Sequence, residues 1–293
     1  LPYEALEPAN VTAALNLYRE LANAEPRSEL RSTTGANGKK FVFLSSGSIY
    51  ADAPLLMEDT PFQPNSPYEQ TKVDAEKRLC DLAVKLPNAP KLAILRPSLV
   101  YGPKNKFLAA NYLAIAIILS EVLGKRMPRT FAGPKTNLAH AEDVARAAIF
   151  LLENEIAPIT GDNSYNICDD NVFGFGDHLL IMANACGAKT LPLPLPLPPA
   201  KIIRLLKRVY GSPKFLKMLN AVLQGCWAAI AKKYKLAPGF TPDISPAMTA
   251  FFGQDTIFSN EKIKSLGFKL LHPNFKEGIK TVIPWYKAHR WIP

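Results

Sequence analysis

Apolar and polar positions alternate along the chain in two periods, short strand-like runs and longer helical ones. Phe41 to Leu44 is a short run rich in β-formers, bounded by Gly38 before it and Ser45-Ser46-Gly47 after it. That pattern predicts a buried parallel strand ending in small hydroxyl residues where the chain turns. Leu92 to Leu95 predicts a second buried strand, stopped by Arg96-Pro97. Between them a helix opens at Tyr68 and runs on through Lys72, Val73, Ala75, Glu76 and Leu79. Tyr68 and Lys72 fall one turn apart on the same face of that helix.

Upstream, Ala9 to Asn23 predicts a helix, and a polar loop longer than a typical connection separates Arg27 from Lys40. Downstream, Phe107 to Gly124 predicts a long apolar helix, and Met127 to Gly133 and Asn137 to His140 carry short strands. Asp143 to Glu153 is an amphipathic helix with Val144, Ala147, Ala148, Leu151 and Leu152 inward. Ser164 to Cys168 is one more strand, and Phe175 to Cys186 one more helix. The alternating prolines of Leu191 to Pro199 exclude helix and favour an extended segment. Two apolar-basic helices follow, Ala200 to Tyr210 and Phe215 to Lys235, before the charged helical tail from Phe258. The shift in composition places a domain boundary near Leu191, with a core over 1–190 and a substrate-binding cap over 191–293.

Composition changes this picture in three places. The 293 residues, 20% of them charged, suit an ordinary globular protein. Cys80, Cys168, Cys186 and Cys226 are scattered, without C-x-x-C or zinc-type spacing, which implies reduced thiols, no structural metal and a cytoplasmic setting. Leu1 to Glu7 has no signal-peptide character, and the most apolar stretch, Phe107 to Leu123, is interrupted by Asn111 and Glu121. The net charge of +10 is concentrated: from His178 to Pro242 there is no Asp or Glu. Lysines and arginines there are interleaved with Leu and Ile rather than stacking aromatics, which argues against nucleic acid.

Candidate chemistry centres on Tyr68. A tyrosine has an unperturbed pKa of about 10, too high for a base at neutral pH. A lysine ammonium one turn away stabilises the phenolate and draws that value down, and a serine hydroxyl from the neighbouring strand end can hold the substrate oxygen. A bare Tyr-x-x-x-Lys says little. Here it follows a hydroxyl-ended strand and a Ser-Pro-Tyr helix entry, and precedes a strand ending Arg96-Pro-Ser-Leu-Val-Tyr-Gly-Pro103.

On those residues the chain resembles the extended short-chain dehydrogenase/reductase family, which includes nucleotide-sugar epimerases and dehydratases and 3-beta-hydroxysteroid dehydrogenases. The family's Ser-Ser-x-x-x-Tyr-Gly segment matches Ser45 to Tyr50, with Ala51 in place of the glycine, and His140-Ala-Glu-Asp-Val-Ala matches its V-x-D-D-V-A. The resemblance implies an α/β, Rossmann-like doubly wound parallel sheet with a smaller, mostly helical substrate domain. It implies NAD or NADP as cofactor and Ser46, Tyr68 and Lys72 as catalytic residues. Asn10, Ser45, Tyr68, Lys72, Pro97, Leu99 and Val100 would then meet the cofactor, and Ser48, Leu99, Lys104 and His140 would lie on the substrate side.

One departure concerns the beginning. The family's fold opens with a strand, a glycine-rich turn and a helix that receives the pyrophosphate. Gly35-Ala-Asn-Gly38 and Gly174-Phe-Gly176 read as turns, so the sheet is expected to be N-terminally incomplete. A second departure concerns substrate. Where nucleotide-sugar enzymes carry an Asn and an Arg on the diphosphate, this chain has Leu99 and Thr136. A diphosphate needs charge-assisted donors, so an apolar, sterol- or isoprenoid-like alcohol or ketone is the preferred substrate. A nucleotide-sugar epimerase/dehydratase and a catalytically inactive binding protein are the alternatives. A homodimer and a peripheral membrane contact through 191–236 stay open, the latter because aliphatic and basic residues share the same helices.

Overall fold

The computed structural model describes residues 1–24, 39–129, 133–154, 163–194, 212–244 and 254–293. The chain passes repeatedly between two compact units. The first holds Leu1–Ser98, Asp143–Cys168 and Phe258–Lys269; the second holds Leu99–Glu142, Asp169–Ile257 and Leu270–Pro293.

The first unit is built on a parallel sheet of β1 (Lys40–Leu44), β2 (Lys91–Pro97) and β7 (Ser164–Ile167), in the order β1-β2-β7. β1 and β2 pair from Lys40↔Lys91 to Leu44↔Leu95, and β2 and β7 from Ile94↔Ser164 to Pro97↔Ile167. Parallel neighbours need a crossover, and α3 (Pro67–Lys85) supplies the one from β1 to β2. The central strand β2 is buried from Leu92 to Pro97, as a strand covered on both faces should be. β1 departs from the fully buried strand its composition predicts: Phe43 is 7% exposed but Leu44 is 47% exposed. Among the described residues β1 pairs on one side only, so its apolar run is partly uncovered.

Leu15 and Tyr18 of α2 (Ala13–Asn23) pack with Phe43, Leu79, Leu92 and Ile94. Each such side chain, fully buried, contributes about 2 kcal/mol before the entropy of ordering is subtracted. Helical structure begins earlier than the expected Ala9. α1 (Tyr3–Glu7) leads into a π-turn, Pro8–Thr12, that runs on into α2. Pro8 has no N–H to offer the α-helical ladder, and the Ala13 N–H bonds the Pro8 carbonyl, five residues back, rather than that of Ala9. α5 (Ala141–Glu153) buries Val144, Ala147 and Leu151 as its periodicity requires, but leaves Leu152 42% exposed and Ala148 only partly covered. α8 (Glu261–Ser265) completes this unit.

Among its described residues the second unit contains three two-stranded pairs. β3 (Leu99–Tyr101) runs parallel to β6 (Leu138–His140), and β4 (Arg126–Arg129) parallel to β9 (Lys189–Pro194). β5 (Lys135–Thr136) is antiparallel to β8 (Phe173–Gly174). The extended reading of the proline run holds for Leu191–Pro194. Its remainder and the expected helix Ala200 to Tyr210 lie outside the described residues, as does the polar loop over 25–38.

Four helices, α4 (Ala109–Val122), α6 (Phe175–Ala185), α7 (Pro213–Tyr234) and α9 (Phe275–Ala288), enclose one apolar core. α4 is apolar nearly all round and is buried accordingly. Its Asn111 is satisfied twice by the backbone of Asp243. α9 approaches β3 closely, since a Cβ at Gly278 would lie 2.2 Å from the Tyr101 hydroxyl. Among the described residues no helix is long and apolar enough to cross a membrane.

Candidate active site

The carboxyl end of β1 delivers a hydroxyl cluster. Ser46 caps a 3-10 turn, Gly47–Ile49, its Oγ accepting from the Ser48 N–H at 3.2 Å and lying 2.9 Å from Ser48 Oγ. Only glycine fits at 47, because a Cβ there would stand 2.4 Å from the Phe258 ring and 3.1 Å from the Pro97 carbonyl oxygen. The Ser45 N–H continues the β1–β2 ladder to Leu95 O at 2.8 Å. Ser45 Oγ and Ser98 Oγ, just past the ends of β1 and β2, are buried without a hydrogen-bond partner among the described residues.

α3 delivers the phenol and the amine. Its start is fixed by Ser66, whose Oγ accepts from Glu69 N–H at 3.2 Å, and by Pro67 in the first turn. The Glu69 carboxylate reaches back to Asn65 N–H at 2.7 Å. Tyr68 and Lys72 then lie one turn apart, with Lys72 Nζ 5.7 Å from the centre of the Tyr68 ring and 5.1 Å from that of Phe43. Lys72 Nζ donates to the Leu44 carbonyl at 2.9 Å, which ties α3 to the end of β1. Asn10, carried inward by the π-turn, donates to Thr71 Oγ1 at 3.0 Å, and Thr71 donates on to the Tyr68 carbonyl at 2.7 Å.

The electrostatics differ from the simple expectation of a lysine-lowered phenol. Desolvation pushes the Tyr68 hydroxyl above its ordinary range; a hydrogen bond with Ser46 pulls it back, and the Glu69 charge adds to the rise. Lys72 is held below its ordinary value by desolvation, against the opposing pull of Glu76. Lys72 Nζ is committed to the Leu44 carbonyl while facing the ring, and Ser46 is the neighbour that offsets part of the rise.

A buried polar network anchors this arrangement, and the expectations from sequence did not include it. Arg96 on β2 makes a bidentate pair with Glu76 of α3, Nε to Oε1 at 3.1 Å and Nη2 to Oε2 at 2.7 Å. Both side chains are 5% exposed or less. Arg96 Nη1 also donates to the Tyr50 hydroxyl and the Glu58 carbonyl, each at 2.9 Å. Tyr50 donates to Asn166 Oδ1 at 2.7 Å, and the Asn166 N–H donates to the Glu58 carboxylate, also at 2.7 Å. The one available signal was helical spacing: Tyr68, Lys72 and Glu76 recur at four-residue intervals on one face.

Seven of the expected positions, Asn10, Ser45, Ser46, Ser48, Tyr68, Lys72 and Pro97, belong to the first unit. Leu99, Val100, Lys104 and His140 belong to the second. There Leu99 is 8% exposed and packs into the core of that unit, and Val100 lends its carbonyl to Asn105 Nδ2 at 3.1 Å. Lys104 is exposed with φ of 64°. His140 is 3% exposed; its Nδ1 accepts from Glu142 N–H at 3.2 Å and its ring lies 3.8 Å from that of His272. With Glu142, whose carboxylate meets His272 Nε2 at 3.0 Å, these two histidines bring ligating atoms within 4.8 Å of one another. Both His140 nitrogens are engaged, the second with Thr281 Oγ1 at 3.3 Å. Thr136, 9% exposed, donates to the Asn137 carbonyl at 3.3 Å.

Residues 4–168, more than half of the chain, match the model of the NAD dependent epimerase/dehydratase family. The chain is similar to UDP-glucose 4-epimerase of Vibrio cholerae, 24% identical over 216 residues, which is 72% of this chain and 62% of that protein. It therefore spans less than two thirds of the length of that relative. Among solved structures it is similar to UDP-glucuronic acid 4-epimerase from Bacillus cereus in complex with NAD. The TM-score there is 0.58 at 15% identity, over 98% of this chain and 68% of the other. It is also similar to UDP-glucose 4-epimerase from Thermotoga maritima with UDP-glucose, with a TM-score of 0.57 at 16% identity over 98% and 74%. At these identities the likeness to solved structures establishes the fold.

Proposed function

The chain belongs to the NAD dependent epimerase/dehydratase family, of the extended short-chain dehydrogenase/reductase type, and from that premise we propose that it interconverts a hydroxyl and a carbonyl on an apolar small molecule. The observation that carries this reading is Tyr68 and Lys72 one turn apart on α3, with Lys72 Nζ 5.7 Å from the centre of the Tyr68 ring and bonded to the Leu44 carbonyl at the carboxyl end of a parallel strand that leads into Ser46. A bound nicotinamide, NAD in the solved relative, supplies or accepts the hydride. Ser45 Oγ and Ser98 Oγ, buried and unpartnered among the described residues just past the strand ends, fit the polar end of such a cofactor. No glycine-rich cradle for the pyrophosphate occurs among the described residues.

The chain's own residues handle the proton. In reduction Tyr68, a phenol that is protonated at neutral pH at its ordinary pKa of about 10 and more so when burial raises it, donates its hydroxyl proton to the carbonyl oxygen. Ser46 Oγ holds that same oxygen, and Ser48 Oγ orients Ser46. In the reverse direction the phenolate takes the proton back, favoured by the Ser46 hydrogen bond. Lys72 holds the end of β1 against α3, so that phenol and serine keep their register.

The apolar substrate is favoured because the two positions suited to gripping a diphosphate are closed. Leu99 is buried, and Thr136 spends its hydroxyl on the Asn137 backbone. A nucleotide-sugar epimerase is the second reading, favoured by the Vibrio cholerae relative. The two separate on substrate panels offered to the full-length protein. Apolar secondary alcohols with NAD or NADP should yield reduced nicotinamide, read by absorbance, whereas UDP-glucose should be returned unchanged. Conversion of UDP-glucose to its 4-epimer without net cofactor reduction would overturn the apolar reading in favour of the second.

A further inference from the structure

Helix α7, Pro213–Tyr234, has an outward face that nothing in the proposed chemistry uses. Its inner side packs through Leu216, Trp227 and Ile230, each 7% exposed or less. From Met218 to Ala231 the helix carries no charged residue, and its two amides, of which Gln224 is exposed, both bond to backbone of the segment that follows the helix. Asn220 exchanges hydrogen bonds with both backbone groups of Ile244, at 3.0 and 2.7 Å, and Gln224 donates to the Pro242 carbonyl at 3.4 Å. The Trp227 indole donates to the Phe240 carbonyl at 3.0 Å. With those polar groups engaged, the outward face presents Met218, Ala221, Val222, Gly225, Ala228 and Ala229, all exposed. Met218 and Val222 are each 58% exposed. The stripe is about 17 Å long at the helical rise per residue.

Charge brackets the stripe at both ends. Lys214 and Lys217 stand at one end, and Lys232, Lys233 and Lys235 at the other, all exposed. The one acidic contact is Glu121, which takes Lys233 at 2.9 Å together with Lys125 and the Tyr234 hydroxyl, leaving the other lysines of α7 without an ion pair among the described residues. An apolar stripe closed by cations at each end is the pattern of a helix lying in a lipid interface. A second copy of this chain fits the face poorly. Parallel or antiparallel, two such helices would set lysines against lysines, and six mostly small side chains fall far short of the area a stable interface needs.

We propose that α7 docks on an anionic bilayer, with the Met218–Ala229 face at the acyl boundary and the terminal lysines among acidic headgroups. The proposal is independent of which substrate the chain accepts. Each lysine near an anionic surface is worth roughly a fivefold gain in partition, and that gain shrinks with salt. The test is co-sedimentation of the full-length protein with phosphatidylcholine vesicles, with and without phosphatidylserine, across a salt series. Binding should require phosphatidylserine and weaken as salt rises. Val222→Glu should cut it by more than about tenfold, and Lys214→Glu with Lys217→Glu should flatten the salt dependence. Val222 is exposed, so circular dichroism and thermal unfolding of the variant should match the parent, which separates lost docking from lost folding. Absent binding, or binding indifferent to Val222→Glu, overturns the proposal. Self-association in sedimentation velocity that Val222→Glu abolishes overturns it as well, and assigns the face to a second copy.

Discussion

Removing the Glu76 carboxylate should cost more stability than any other single change to a charged pair in the described structure. Glu76→Ala takes both carboxylate contacts from Arg96 Nε and Nη2 while the guanidinium stays 5% exposed, left with hydrogen bonds to the Tyr50 hydroxyl and the Glu58 carbonyl and with the Tyr50 and Phe62 rings. A buried cation stripped of its carboxylate costs about 3–5 kcal/mol, a large share of the roughly 5–15 kcal/mol that stabilises a typical domain. The control is Lys280→Ala, which breaks the exposed pair with Glu277, both side chains more than half exposed, and should leave stability nearly unchanged because solvent screens such a pair. The double change Glu76→Leu with Arg96→Met removes the stranded charge as well. It should recover most of the loss, leaving a residue of about 1–2 kcal/mol for the orphaned Glu58 carbonyl. Urea unfolding of the four proteins measures all of this. The reasoning fails if Glu76→Ala costs no more than Lys280→Ala, or if the double change is worse than the single one. Because Glu76 opposes the desolvation of Lys72, Glu76→Gln should also move the Lys72 titration to lower pH.

Three further outcomes follow from single positions. His178 is fully buried against Phe173 and Phe275, with neither ring nitrogen at hydrogen-bonding geometry; burial holds it down to about 4, and the Gly174 backbone only partly offsets this. Its folded pKa lies below the unfolded value of about 6.5, so stability is full above that value and falls by about 3 kcal/mol as pH drops through about 4. His178→Leu should remove much of that acid sensitivity in urea melts taken across the range. Gly47→Ala forces a methyl group to 2.4 Å from the Phe258 ring and should destabilise by about 1–3 kcal/mol in thermal unfolding. Lys72→Met should lower both turnover and cofactor affinity, since it frees the end of β1 from α3; unchanged kinetics would remove Lys72 from the site.

The strand–helix–strand stretch from β1 to β2 was legible because each element has a strong local signal. β-formers end in small hydroxyl residues at Ser45, Ser66-Pro67 starts α3, and Arg96-Pro97 stops β2. The one-turn spacing of Tyr68 and Lys72 fixed their common helix face for the same reason. Features that depend on partners distant in sequence did not show. The uncovered Leu44 reflects which strands flank β1, and the 42% exposure of Leu152 reflects how far cover extends at the end of α5. Arg96 read as a strand terminator because its partner, Glu76, is twenty residues away on another element. The π-turn was hidden because helical periodicity persists through it, and only the missing N–H of Pro8 hints at the bulge. Spacing gives the shared face of Tyr68 and Lys72, not where Nζ finds its hydrogen bond, which is at the Leu44 carbonyl.

The central claim, that Tyr68 carries the proton, is tested most directly by Tyr68→Phe in the full-length protein, with turnover and cofactor binding measured side by side. Turnover should fall by about a hundred- to ten-thousand-fold, the scale of a lost general acid–base group. Cofactor affinity should stay within about twofold, because the hydride belongs to the cofactor and the ring remains in place. Turnover kept within about threefold of the parent would contradict it.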